Sequence, residues 1–380
     1  MARRRERLRL DHSAPGTTRE VLVHRYGAPG ARPKAYLQAS LHADETPALL
    51  VAHHLVRLLD EAEAQGAIRG EIVVVPYANP IGLSQFTNGR HLGRHETGGG
   101  GNFNRNWPDL VSPAAAEIEG KLTDSPAENV ALIRTVLLAH LEAQSPTSEL
   151  DSLRLTLARQ AVDADLVLDL HCDHEALMHL FLIPAHWPEA QDIAAELACR
   201  AVFLAEDSGG NSFDETFSTL WTRLAAQFPD YPIPAACLSG TVELRGMADV
   251  ADETAEADAR ALVRSLQRHG EISGDPGPVP EPLCEATRLD ACEIVRAPNF
   301  GVISYVAALG AWVRRGDLIA WLVDPAAEDP TAGRQEIRAG TDGLILSRRD
   351  RKFVHPGATV AKVVGRETLP DRAAGPLLED

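Results

Sequence analysis

The sequence is short of cysteine motifs, of basic residues and of long apolar runs, and each shortage excludes something. Its five cysteines, Cys172, Cys199, Cys237, Cys284 and Cys292, are odd in number, widely spaced and free of any C-x-x-C. That pattern speaks against a disulfide framework or a cysteine zinc knuckle and fits a reducing compartment. Lys and Arg number 37 against 54 Asp and Glu, a formal net charge of −17. A nucleic-acid partner is therefore not expected, because phosphate binding needs a basic face. No stretch approaches the roughly 18 apolar residues of a membrane span. The start, Met-Ala-Arg-Arg-Arg-Glu-Arg, is basic but leads into no apolar run, so it is not read as a secretory signal. The arginines of Arg3–Arg9 are read as a solvated end. Neither G-x-G-x-x-G nor the Lys-Ser/Thr of a P-loop occurs, and no long repeat recurs at a fixed period. The expectation is a soluble cytoplasmic protein with no membrane and no nucleic-acid partner.

What is present is ordinary globular material. Hydrophobic residues make up 44% and charged residues 24%, which excludes a disordered chain. The length of 380 residues is enough for two domains. Charge divides the chain: residues 10–284 carry 19 Lys/Arg against 39 Asp/Glu, whereas residues 285–366 carry 12 against 10. Before the break, short apolar runs alternate with helical patterns. Strands are expected at Ala35–Leu41, Glu71–Val75, Leu166–Leu170, Leu180–Ile183 and Gly240–Leu244. Helices are expected at Pro47–Asp60, Ala127–Gln144, Ala190–Leu204 and Asp252–His269. Alternation of this kind indicates an α/β fold with a mostly parallel or mixed sheet flanked by helices. Residues 271–284 read as a proline-rich linker, 285–366 as a small all-β module of short strands, and 367–380 as a loose tail.

Four pieces of the first 270 residues bear chemistry. His42 and Glu45 follow an expected strand and precede Thr46-Pro47, a good helix start, so they fall at the carboxyl edge of the sheet where open α/β folds place ligands. An imidazole and a carboxylate there can reach one metal ion, although a polar turn with Glu45 favouring the helix N-terminus explains them equally well. His171, in LVLDLHCD, ends another strand at the same edge and could complete a His-Glu-His set with an open position, the pattern of catalytic zinc. Asn102-Phe103-Asn104-Arg105-Asn106-Trp107 follows Arg90, Arg94 and the Gly98–Gly101 run. Arginine forks suit an anionic substrate, or they offset local acids such as Glu96 and Asp109. The glycines are read as a flexible loop and a candidate lid. Glu243, in GTVELRG, is a carboxylate able to move a proton beside a metal, or a partner for Arg245. Cys172, beside His171, is read as a buried thiol and not as a nucleophile.

In this order the pieces resemble the succinylglutamate desuccinylase/aspartoacylase family of the zinc-carboxypeptidase clan. The resemblance spans roughly residues 35–250 and continues into the β module, which is similar to the barrel-like, lipoyl-type C-terminal domain of such deacylases. It implies that residues 1–270 form a zinc-dependent deacylase domain holding one Zn2+ per chain through His42, Glu45 and His171. It further implies Glu243 as general base and acid, Asn104 and Arg105 as holders of a substrate carboxylate, and an arginine that polarises the scissile carbonyl. Arg94 is preferred to Arg90 for that last role because it lies closer to the Asn-Arg pair. The implied reaction is hydrolysis of an amide in an N-acyl amino acid or a similar small anionic molecule. A peptide-cleaving metallocarboxypeptidase is the alternative, and a non-catalytic metal-binding protein ranks lower. Ser208–Glu215 lines the pocket or forms a plain surface loop; the β module shapes the entrance or a homo-oligomer contact.

Overall fold

The computed structural model describes residues 3–370 and Arg372. Its centre is a nine-stranded sheet ordered Arg4–Arg9, Glu20–Tyr26, Glu71–Val75, Lys34–Ala39, Leu166–Asp173, Leu238–Gly246, His179–Leu182, Ala201–Leu204, Ala286–Arg288. Strands Glu71–Val75, Lys34–Ala39, Leu166–Asp173 and Leu238–Gly246 run parallel to one another. His179–Leu182 then runs antiparallel to Leu238–Gly246, so the sheet is mixed. The central strands are buried on both faces, which is why EIVVV and LVLDL read as continuous apolar runs instead of alternating ones.

Helices cover both faces. On one side Pro126–Ala143, Glu149–Ala161 and Phe213–Gln227 contribute Ile133, Leu137, Leu157 and Trp221 to one core. On the other, Pro47–Ala64 and Asp252–His269 pack Leu55, Leu59, Leu262 and Leu266 into a second. None of the helices among the described residues is long and apolar enough to cross a membrane.

Several elements differ from expectation. The arginine-rich start is an edge strand, Arg4–Arg9, paired antiparallel with Glu20–Tyr26, and Arg3 bonds Asp60. The helix expected over 190–204 stops at Glu196; Ala198 turns left-handed (φ 53°) and Ala201–Leu204 becomes a strand. AVFL is too short for periodicity to separate strand from helix, and pairing with His179–Leu182 settles it. Glycines 98–101 form the turn of a small hairpin, in which the Glu96 carboxylate accepts the Gly98 and Gly100 N–H groups.

The C-terminal segment is all-β but not a closed barrel. One four-stranded antiparallel sheet comprises Arg334–Arg338, Leu318–Val323, Gly301–Tyr305 and Phe353–Val354. A second contains Gly343–Arg348, Thr359–Val364 and Cys292–Arg296, and takes Glu175–Ala176, just beyond His171, as its edge. Because that ladder ends on the N-terminal part, it docks there instead of closing on itself. The first strand after the linker, Ala286–Arg288, completes the large sheet, whereas the sequence places it in the β module. Of the tail at 367–380, Thr368 and Leu369 bond to Asp290; Asp371 and residues 373–380 lie outside the described residues.

Candidate metal centre and active site

Parallel pairing brings the carboxyl ends of three strands to one edge. Gln38 lies opposite Asp169, and Glu243 lies opposite His171, so two distant segments meet in register. After Ala39 the chain is redirected by Ser40, held left-handed at φ 56° with its hydroxyl donating to the Glu45 carbonyl. Thr46 takes the N-cap position without a side-chain cap bond, and Pro47 starts the helix. His42 and Glu45 are thereby held in a buried turn. Gly93 abuts this turn: a Cβ there would stand 2.1 Å from the Asp44 nitrogen, so only glycine lets Arg94 come alongside.

Ligand atoms of His42, Glu45 and His171 all lie within 4.8 Å of one another. Glu45 Oε1 is 2.9 Å from His42 Nδ1, and Glu45 Oε2 is 2.8 Å from His171 Nδ1 and accepts the Cys172 N–H at 3.0 Å. The outer ring nitrogens have their own acceptors. His42 Nε2 donates to Asn102 Oδ1 at 2.8 Å, an oxygen identified by the Asn104 N–H that also donates to it. His171 Nε2 donates to Asp169 Oδ2 at 2.9 Å. Both rings are thus oriented with Nδ1 toward Glu45 and Nε2 toward a fixed oxygen, the arrangement in which an outer partner aims a metal-ligating histidine.

The electrostatics distinguish the two rings. Burial, and then the Arg94 charge, lower His42 to about 4, so it is a neutral ring with a lone pair facing a carboxylate. Glu45 is driven well below the usual carboxylate range, because His171 and His42 outweigh the burial that opposes it. His171 is raised well above its ordinary value, as Asp169 and Glu45 outweigh burial. Arg94 Nη1 lies 3.2 Å from His42 Nδ1 and donates to Glu45 Oε1 at 3.1 Å. Two nitrogens and a carboxylate of this kind fit a divalent zinc-like ion.

These residues open on a cavity of about 550 Å3, which is also lined by Arg94, Asn104, Arg105 and Glu243. Arg90, in an outer hairpin, is not among the lining residues. Glu243 points a buried Oε2 without a hydrogen-bond partner, and burial followed by the Glu45 charge pushes its carboxyl up to about 8. Arg245 does not pair with it but forms an ion pair with Asp258. Asn104 Oδ1 accepts the Phe213 N–H and Arg105 Nη1 donates to the Asn104 carbonyl, both at 2.8 Å. Gly210 (φ 89°) packs so closely on Arg105 that a Cβ would stand 2.4 Å from its Cδ. Glu96 and Asp109, the acids these arginines could have offset, instead take backbone N–H groups. The Cys172 thiol is buried and its pKa lies far above the ordinary range, which suits packing and not nucleophilic attack.

Sequence reading missed the groups around this constellation. Asp169 stands two residues before His171 on one strand face, a spacing that could have revealed it; Asn102 carried no such signal. Ser208–Glu215, read from the sequence as pocket lining or surface loop, does line the cavity: it runs from a loop into the helix Phe213–Gln227, with Asp214 and Glu215 on the wall. The C-terminal sheets supply Arg348, Arg349, Asp350 and Lys362, and Lys362 Nζ reaches Asp173 at 2.8 Å.

Comparison with known proteins agrees with this geometry. The family model of the succinylglutamate desuccinylase/aspartoacylase catalytic domain matches residues 31–269. An N-alpha-acetyl-L-2,4-diaminobutyric acid deacetylase from Halomonas elongata is 24% identical over 336 residues, 88% of this chain and 82% of the relative. A solved structure of a succinylglutamate desuccinylase/aspartoacylase family protein from Shewanella amazonensis superposes with a TM-score of 0.83 at 24% identity, covering 95% of this chain and 98% of the other. The product-bound ectoine utilisation protein EutE (DoeB) from Ruegeria pomeroyi gives a TM-score of 0.65 at 19% identity, with coverage of 96% and 95%. Likeness at this identity carries the fold; the family match carries the membership. The chain belongs to the succinylglutamate desuccinylase/aspartoacylase family, a family of deacylases.

Proposed function

We propose that this protein is a zinc-dependent hydrolase that cleaves the amide bond of an N-acyl amino acid or a similar small carboxylate-bearing molecule. The observation that carries the reading is the buried His42–Glu45–His171 set, with both Nδ1 atoms turned to Glu45 and Glu243 on the neighbouring strand. His42, Glu45 and His171 would hold the ion, which when bound supplies Lewis-acid polarisation and acidifies water. Glu243 accepts a proton from the attacking water and returns it to the departing amine nitrogen, a role suited to a carboxyl with a partnerless Oε2 and a pKa raised to about 8. Arg94, already beside Glu45, stabilises the negative charge that develops on the carbonyl oxygen. Arg105 and Asn104 hold the carboxylate and fix the substrate's orientation.

Cavity size favours a small substrate over a peptide: about 550 Å3 is a small-molecule volume, and residues 347–351 of the C-terminal sheets help wall it. We therefore assign residues 1–270 to catalysis and 285–366 to a module that shapes the entrance. All five cysteines are free, which supports a reducing, cytoplasmic setting. The test is metal content joined to turnover of N-acetyl amino acids. About one zinc per native chain is expected, lost in His171→Ala. Glu243→Gln should keep the metal and lose turnover. A chain that takes up no zinc when offered it, or a Glu243→Gln variant with near-normal turnover, overturns the assignment.

A further inference from the structure

The register of the large sheet divides the cavity into a polar end and an apolar end. Asp169, Thr241, Phe181 and Phe203 are successive partners across four adjacent strands, so their side chains share one face. His171 and Glu243 are the paired residues one step nearer the carboxyl edge on that face. Asn104 Nδ2 lies 3.5 Å from His171 Nε2, and Arg105 folds back onto the Asn104 carbonyl. The proposed carboxylate anchor therefore stands on the His171 side of Glu243. Phe181 and Phe203 stand on the opposite side, one and two strands away.

Every residue that the stretch 181–205 gives to the cavity wall is apolar, and so is Leu289, just past the outermost strand. The Phe181 and Phe203 rings stack with centroids 5.1 Å apart, and His179 meets the Phe181 ring edge-on at 5.4 Å. Phe203 and Leu289 are 1% and 3% exposed and belong to a small core shared with Cys292 and Leu346 of the C-terminal sheet. Packing of the two parts accounts for those two residues. It does not account for Phe181 and Ala205, which rest on that core, stay partly exposed and line the cavity. Apolar surface left open to water in a concavity of about 550 Å3 gains free energy when an apolar group covers it. An acetyl group brings only a methyl to such a wall.

We infer that Phe181, Phe203, Ala205 and Leu289 form a subsite for an apolar acyl chain longer than acetyl. With the substrate carboxylate held at Arg105 and the scissile carbonyl beside Glu243, the acyl chain leaves in the other direction, along the two phenyl rings. This rests on the deacylase reading above and specifies the acyl group that is released. The experiment sets N-hexanoylglycine against N-acetylglycine in one reaction with the zinc-loaded protein; the two share carboxylate and leaving amine and differ only in chain length. Competition yields the ratio of kcat/KM values, which does not depend on the fraction of protein that is folded. A buried methylene is worth about fourfold, so the native protein should favour the hexanoyl substrate by about thirtyfold or more. Phe181→Ser, which strips the wall, and Ala205→Leu, which fills it, should each lower that ratio by about fivefold or more. Calorimetry with Glu243→Gln, expected to bind without turnover, should show the same order of affinity. A native ratio near one, equal affinities in calorimetry, or a ratio unmoved in both variants refutes the subsite while leaving the deacylase reading intact. Preference for N-acetylnorleucine over N-acetylglycine, with none for the hexanoyl chain, would put the apolar group on the amine side and also refute the acyl assignment. Failure to hydrolyse any N-acyl amino acid refutes the deacylase reading itself.

Discussion

Replacing Asp169 by Asn isolates the group that aims His171. Asp169 is fully buried; its Oδ1 accepts the Gln38 amide at 3.0 Å and its Oδ2 faces His171 Nε2 at 2.9 Å. Asparagine has nearly the same shape but presents one N–H2 where there were two acceptors. Turned one way, that N–H2 meets the protonated Nε2, and the imidazole must move its proton to Nδ1, the atom that would hold the metal. Turned the other way, it meets the Gln38 amide, which must flip and disturb the bond it accepts from the Tyr36 hydroxyl at 2.8 Å. Either route exchanges a charge-assisted bond for a neutral one, a difference of about 1–2 kcal/mol. That matches the 10- to 100-fold loss of metal affinity typical when the partner of a ligating histidine is removed, roughly 1.4–2.7 kcal/mol. The assay is competition for zinc against a chromophoric chelator, with circular dichroism to confirm the fold. Zinc affinity within about twofold of the native value would show that Asp169 does not control the ring.

Three further outcomes follow from the same geometry. Glu271 is 1% exposed with both carboxylate oxygens buried and unpartnered, and burial raises it from 4.5 to about 7. Between those values the native chain keeps a proton that the unfolded chain gives up, so stability falls as pH rises through that window, by up to roughly 3 kcal/mol. Glu271→Gln should therefore stabilise the protein more at pH 8 than at pH 5 in chemical denaturation, and an equal gain at both would contradict this. Gly210→Ala places a methyl 2.4 Å from Arg105 Cδ at a backbone angle of φ 89°, and should raise KM for carboxylate-bearing substrates by about tenfold or more while the protein still folds; an unchanged KM would remove Arg105 from substrate binding. Lys362→Met strips the partner from the Asp173 carboxylate, which Lys362 holds well below the usual range despite burial. The expected loss is roughly 3 kcal/mol by denaturation, and a loss under about 0.5 kcal/mol would make the pair incidental.

The turn that carries His42 and Glu45 was legible because its signals are local. An apolar strand, then His42 and Glu45, then Thr46-Pro47 puts both side chains at a strand-to-helix turn whatever the rest of the chain does. His171 was legible for the same reason, at the end of LVLDL. Continuous apolar runs bounded by turn residues gave the central strands and a helical period gave Asp252–His269, whereas AVFL was misread as helix and the helix Phe213–Gln227 was left unassigned beyond its first residues.

Sequence alone therefore determined the candidate ligand residues, their local turns and the family they resemble, because each is written within a few neighbouring residues. Tertiary structure decided which of them meet. Only the parallel pairing of Leu166–Asp173 with Leu238–Gly246 puts Glu243 beside His171 and sends Arg245 to Asp258. Only the docking of the C-terminal sheet on Glu175–Ala176 brings Lys362 to Asp173 and walls the cavity. Strand order and domain docking are set by burial summed over the whole chain, a non-local quantity that no short stretch of sequence contains.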